Sequence, residues 1–206
     1  MTVIVDYGVG NLFSLKSSFA CIGVDCVVSG DPNVIKNAKR LILPGVGAFS
    51  DSARKLRESG LDKIILDNVA SGTPLMGICL GMQLLFDVSY EYGTHKGLSL
   101  ISGSVSPIEN VIPRTLKIPH IGWNALNFKG DKHPIFKYVN DGDFVYFVHS
   151  YYGANCEKSV IATTEYGATL TAAVAKNNVC GCQFHPEKSG KVGLNILRGF
   201  CEWRCE

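Results

Sequence analysis

A cysteine stands between two glycines in Gly77-Ile78-Cys79-Leu80-Gly81-Met82-Gln83, directly after an apolar run and at the start of a helical pattern. This is the spacing of a nucleophile elbow, in which the reactive side chain sits on a sharp strand-to-helix turn. Glycines two residues to either side fit because larger side chains would collide across so tight a turn. A cysteine at a helix start also meets free N–H groups and the positive end of the helix dipole, which favour a thiolate. The same residues would also fit a buried cysteine in an ordinary glycine-flanked turn.

A thiol nucleophile needs a base, and the base needs an orienting group. Gln183-Phe184-His185-Pro186-Glu187 supplies both at the end of another apolar run. On extended chain His185 and Glu187 point to one face, and Pro186 biases His185 toward extended backbone. A plain ion pair at a strand end would read the same way. A third run ends in Leu43-Pro44-Gly45-Val46-Gly47. Amides of that segment, with the Leu80 N–H, could face a developing oxyanion; alone, the segment is a tight turn.

Two other patterns carry less. Asp6-Tyr7-Gly8-Val9-Gly10-Asn11 begins like a dinucleotide fingerprint, but the third glycine is missing. Cys180-Gly181-Cys182 has the wrong spacing for a structural zinc knuckle and reads as small buried residues on a strand. Cys201 and Cys205, four apart, share a face of the last helix. No metal site and no cofactor are expected.

The elements that would position these groups alternate through the first half. Strands are expected at Thr2–Val5, Asp25–Val28, Arg40–Leu43 and Pro74–Ile78. Helices are expected at Asn11–Ile22, after the Asp31-Pro32 cap, at Ala48–Glu58, at Leu61–Ala70 and at Leu80–Phe86. This alternation implies a largely parallel sheet with right-handed crossovers. Strand C-termini in such a sheet converge on one ligand-binding edge, which brings the three motifs within reach of one another. The second half is β-rich: Val105–Ile108, Leu116–Ile118, Trp123–Leu126, Asp143–Val148, Val160–Thr164, Thr171–Ala175 and Val179–Phe184, closed by a helix over Lys191–Trp203. The fold class is therefore α/β with a more antiparallel extension, and residues 1–206 are expected to form a single domain.

Composition narrows the function classes. At 206 residues, 46% hydrophobic and 18% charged, the chain has the makings of a folded core. A net charge of +2 with interspersed signs gives no footprint for nucleic acid or anionic lipid. No apolar run reaches the roughly 18 residues of a membrane span. The start MTVIVDYGVGN lacks the basic region of a signal peptide. The eight cysteines then read as reduced thiols in a cytoplasmic protein.

Taken jointly, GICLGMQ, FHPEKSG and LPGVGAF resemble the triad (class I) glutamine amidotransferases, built on a flavodoxin-like core. DYGVGN, His120–Asn124 (HIGWN) and Phe147–Tyr151 (FVHSY) extend the resemblance, over essentially the whole chain, to the glutaminase subunits of imidazole glycerol phosphate synthase. Ile121, where Met is common, and a less acidic Ser89–Gly93 loop depart from the pattern. The resemblance implies Cys79 as nucleophile on the glutamine amide, His185 as proton shuttle and Glu187 as its anchor. It implies oxyanion donors at Leu80 and in the Gly45–Gly47 segment, at Val46 or Gly47. It places Gln83, Ser150 and Tyr151 on the substrate, and Asn11, Trp123, Tyr146 and Lys188 against a (β/α)8-barrel cyclase that receives the ammonia. A paralogous subunit supplying ammonia to another acceptor, as in sugar amination, would share the catalytic residues.

Overall fold

The computed structural model describes residues 1–204. The first half runs β1 (Thr2–Val5), α1 (Leu12–Cys21), β2 (Cys26–Ser29), α2 (Pro32–Lys36), β3 (Arg40–Leu43), α3 (Phe49–Glu58), α4 (Leu61–Ala70), β4 (Leu75–Ile78) and α5 (Leu80–Gln83). Then come β5 (Phe86–Ser89), β6 (His95–Lys96), β7 (Ile101–Pro107), β8 (His120–Ala125), β9 (Asn127–Phe128), β10 (Phe144–His149) and β11 (Tyr151–Ala154). β12 (Val160–Glu165), β13 (Thr169–Lys176), β14 (Val179–Cys182) and α6 (Gly190–Glu202) complete the order.

One eight-stranded sheet, in the order β2-β1-β3-β4-β14-β13-β12-β9, carries the structure. The pairs from β2 to β14 are parallel and the remaining pairs antiparallel. Parallel strands are covered on both faces, and their sequences show it. Val3, Val5, Leu41 and Leu43 enter one core with Phe49, Leu56 and Ile65. Ile4, Ile42 and Met76 enter the other, with Leu15, Phe19, Ile196 and Phe200. Alternation along each strand thus joins α1 and α6 on one face to α2, α3 and α4 on the other. Asn11 and Asp31 start α1 and α2 by accepting hydrogen bonds from the Ser14 and Asn33 amides, and Pro32 occupies the first turn of α2.

Two smaller sheets, β11-β7-β5-β6 and the ribbon β10-β8, lie beside the main one. Several elements differ from the sequence expectation. The Leu80 helix stops at Gln83 instead of continuing to Phe86, because Phe86–Ser89 pairs with β7. The Phe86 carbonyl also accepts from the Ser99 amide. Leu116–Ile118 is not a strand: prolines 113 and 119 flank it, and Leu116 packs on a satellite cluster of Ile108, Ile112 and Leu170. β5, β6, β9 and β11 are strands that periodicity missed. Cys205 lies outside the described residues, so the pairing of Cys201 with it on one helix face is not described. Among the described residues no helix is long and apolar enough to cross a membrane.

Candidate active site

β3, β4 and β14 are adjacent parallel strands, so the turns that leave their carboxyl ends meet. Those turns carry Val46, Cys79 and His185. The Cys79 amide donates to the Cys182 carbonyl at 2.8 Å, which ties the Cys79 and His185 turns together.

Cys79 has φ +55° and ψ −112°, a backbone conformation rarely adopted outside glycine. The glycines around it explain how the turn closes. A Cβ on Gly81 would lie 1.8 Å from the Leu43 carbonyl oxygen, and one on Gly77 would lie 2.6 Å from the Gly81 oxygen. The Tyr7 hydroxyl donates to the Pro44 carbonyl at 2.7 Å. The N-terminal DYGVGN segment therefore braces the Gly45–Gly47 turn rather than a nucleotide. The α5 helix is one turn long, so its dipole is short. The free N–H groups of its first residues, Leu80 foremost, are what it offers a ligand.

His185 is buried, and its Nδ1 lies 2.8 Å from Glu187 Oε1, whose side chain is 2% exposed. The pair meets differently from the extended arrangement read from the sequence. Pro186–Lys188 is a 3-10 turn that curls the carboxylate back onto the ring. Burial works against charge on His185, but the hydrogen bonds to Cys79 and Glu187 and their charges outweigh it and raise its pKa to about 10. The His185 amide donates to the Tyr146 carbonyl at 2.9 Å, and Ser189 Oγ donates to the His185 carbonyl at 2.6 Å. Ring and backbone are thus both fixed.

A cleft of about 660 Å³ opens over these groups. Val46, Gly47, Cys79, Leu80, Gln83, Ser150, Tyr151, His185 and Lys188 all line it, while Glu187 stands behind His185. Gln83 is committed within the wall: its Nε2 donates to the Tyr151 carbonyl at 3.2 Å and to Gln183 Oε1 at 3.0 Å. Gln183 in turn places its Nε2 3.7 Å from the Cys79 sulfur. Sequence reasoning quoted Gln183 within a motif and gave it no role. Glu91 and Tyr92 also line the cleft, and Glu91 caps the Phe49 amide at the start of α3. A capping carboxylate at a helix N-terminus was legible in principle, but its partner here is 42 residues away.

A buried thiol, an imidazole beside it and a carboxylate behind the imidazole can perform nucleophilic acyl transfer. Comparison with known proteins places that chemistry. The family model described as glutamine amidotransferase class-I matches residues 3–202. The subunit HisH of imidazole glycerol phosphate synthase from Caldanaerobacter subterraneus is 48% identical over 203 residues, covering 98% of each chain. That from Sulfurimonas denitrificans is 48% identical over 206 residues, covering 99% of each. The chain belongs to the class-I glutamine amidotransferases, in their HisH branch.

Solved structures share the amidotransferase fold at low identity. A glutamine amidotransferase superposes with a TM-score of 0.75 at 20% identity over 97% of both chains. The Thermotoga maritima PurLQS structure gives 0.76 at 18% identity, over 97% of this chain and 96% of that one. This amidotransferase also presents a clustered outer face. Trp123 is 52% exposed, pairs in register with Tyr146 and lies 6.0 Å from its ring. Lys188 Nζ sits 5.8 Å over the same ring. Asn11 is half-buried at the start of α1, a helix that packs on the turn holding Lys188.

Proposed function

We propose that the chain is a single cytoplasmic amidotransferase domain that hydrolyses glutamine at Cys79 and hands the ammonia to a cyclase subunit in histidine biosynthesis. The family match over residues 3–202 and the HisH relatives support the reading. The observation that carries it is the strained Cys79 turn and His185 in one cleft, with Glu187 bonded behind His185.

In this mechanism the Cys79 sulfur, its proton already held on His185 Nε2, attacks the side-chain amide carbon of glutamine. The oxygen gains negative charge opposite the Leu80 N–H and an amide of Val46 or Gly47. Collapse breaks the C–N bond, and the His185 proton leaves on ammonia. His185 then takes a proton from water, which attacks the thioester; glutamate departs and the Cys79–His185 pair is restored. Glu187 holds Nδ1, so that Nε2 faces the sulfur. Gln83, Ser150 and Tyr151 form the wall that receives glutamine.

The cyclase, a (β/α)8 barrel, would dock on the face of Asn11, Trp123, Tyr146 and Lys188. Aromatic anchors of this kind are enriched at interfaces. Ile121 at 57% and Phe144 at 55% exposure widen the same apolar ribbon. Glutamate release by the chain alone, then with the cyclase and its nucleotide ligand, tests the proposal. Weak release that rises steeply on mixing and vanishes in Cys79→Ala is expected. Release at the wild-type rate in Cys79→Ala would end it, and a flat response on mixing would assign the ammonia to another acceptor.

A further inference from the structure

Two buried histidines that the chemistry above does not use stand at the cleft: His149 lines it and His120 lies behind His149. The register of β8 and β10 sets His120 opposite His149, and the two are 1% and 5% exposed. They form the middle of a continuous hydrogen-bonded chain. His149 Nδ1 lies 2.8 Å from the Tyr151 carbonyl oxygen, and His149 Nε2 lies 2.9 Å from His120 Nδ1. His120 Nε2 lies 2.8 Å from Asn124 Oδ1. Asn124 is oriented by its own amide nitrogen, which donates to the Glu165 carbonyl at 2.8 Å.

The two ends of this chain can only accept. A carbonyl oxygen stands at one and an amide oxygen at the other, so each of the three links needs a proton on a ring nitrogen. Two neutral imidazoles bring two protons, which leaves one link empty. Three protons fill all three links and give the pair one positive charge. The surroundings favour that charge on one ring. Tyr166 and Phe147 lie nearly parallel to His120, with centroids at 4.0 and 5.1 Å, and present the π faces that attract a cation.

We propose that His120 and His149 are a positioning pair for the glutamine-holding segment, complete only with three ring protons, the third carried by His120. The proposal rests on the reading of Ser150-Tyr151 as the wall that receives glutamine. His149 and Gln83 hold the same Tyr151 carbonyl from two sides, so loss of the His149 link loosens that wall.

The groups facing the pair set the direction of its pH dependence. Burial keeps His149 neutral, with a pKa of about 4, against its bond to the Tyr151 carbonyl, which raises it; the neighbouring charges of His120 and His185 lower it further. Burial also lowers His120, against its bond to Asn124, which raises it. Tyr166 and Phe147 meet its ring, and the Tyr166 hydroxyl is turned away to the Lys117 carbonyl. The network is therefore complete on the acid side of the His120 titration and opens as pH rises through it.

Nitrogen-15 NMR of the imidazoles in the full chain, from about pH 5 to about pH 8, counts the protons. The expected result is one N–H on His149 throughout and two on His120 at the acid end. Two protons across the pair at every pH, or the third on His149, overturns the proposal. Kinetics supply the functional arm. His120→Phe keeps a ring and removes both bonds, and should raise KM for glutamine about tenfold with little change in kcat. His120→Gln restores donors without titration, so it should return KM toward wild type and erase the pH step. Should the Phe variant fail to fold, the Gln variant decides alone: a pH step identical to wild type overturns the proposal. An unchanged KM in a folded Phe variant, with Cys79→Ala inactive, sinks this inference and spares the glutaminase reading. An active Cys79→Ala sinks the latter whatever the histidines do.

Discussion

The two walls of the cleft are built on different principles. The Cys79 wall, at the ends of β3, β4 and β14, is fixed by backbone in contact with backbone: glycines 45, 77 and 81 leave room for nothing else. The opposite wall, from the β8–β10 ribbon to Tyr151, belongs to sheets separate from the main one and is held by side-chain hydrogen bonds. Close packing tolerates no change in volume, whereas a hydrogen-bonded wall can lose one link and survive. The rigid wall suits a nucleophile that must hold a strained conformation. The adjustable wall suits a substrate that must enter and leave.

That contrast can be broken most forcefully at Gly81. A Cβ 1.8 Å from the Leu43 oxygen cannot be accommodated without moving the sheet edge. Gly81→Ala should therefore destabilise by about 4 kcal/mol or more, or prevent folding outright. Chemical denaturation measures this, and a wild-type midpoint would show that the elbow is looser than the packing implies.

Glu187→Gln comes next. It keeps the shape and removes the charge behind His185, and should lower glutamate release by about 10²-fold while leaving the fold intact. An unchanged rate would reduce the carboxylate to a structural role.

A smaller effect concerns pH. The folded pKa of His185, about 10, lies above its usual value of about 6.5. Its protonated form therefore stabilises the fold fully below about 6.5, and this contribution is lost as pH rises toward about 10. Thermal melts across that window should fall more steeply for wild type than for Glu187→Gln. Parallel slopes would show that the carboxylate does not hold the proton.

The smallest effect is expected on the outer ribbon. Trp123→Ala removes a half-exposed ring and should change the stability of the free chain by less than about 1 kcal/mol, while weakening cyclase binding strongly. A large loss of stability in the free chain would make Trp123 part of the core instead.

The rigid wall was legible in the sequence because its determinants are local. The elbow glycines, the apolar runs before them and the His185–Glu187 spacing all lie within a few residues of the groups they serve. The adjustable wall was far less so. His120 meets His149 only through the β8–β10 register, 29 residues apart, and Gln83 meets Gln183 across 100. The helix expected to reach Phe86 stopped early for the same reason, since pairing with β7 overrode local periodicity. Leu116–Ile118 reads as a strand on its apolar residues, yet between its two flanking prolines Leu116 packs on a satellite cluster and Ile118 is exposed.

The central claim is that glutamine is attacked by Cys79. Reaction of the full chain with an electrophilic glutamine analogue, such as its chloroketone, followed by peptide mass spectrometry, tests it directly. Among the described cysteines, Cys21 is exposed and would react first by access alone. One adduct is expected, on Cys79, that excess glutamine prevents and that accompanies loss of glutamate release. Inactivation with the adduct on any other cysteine, or with none, would contradict it.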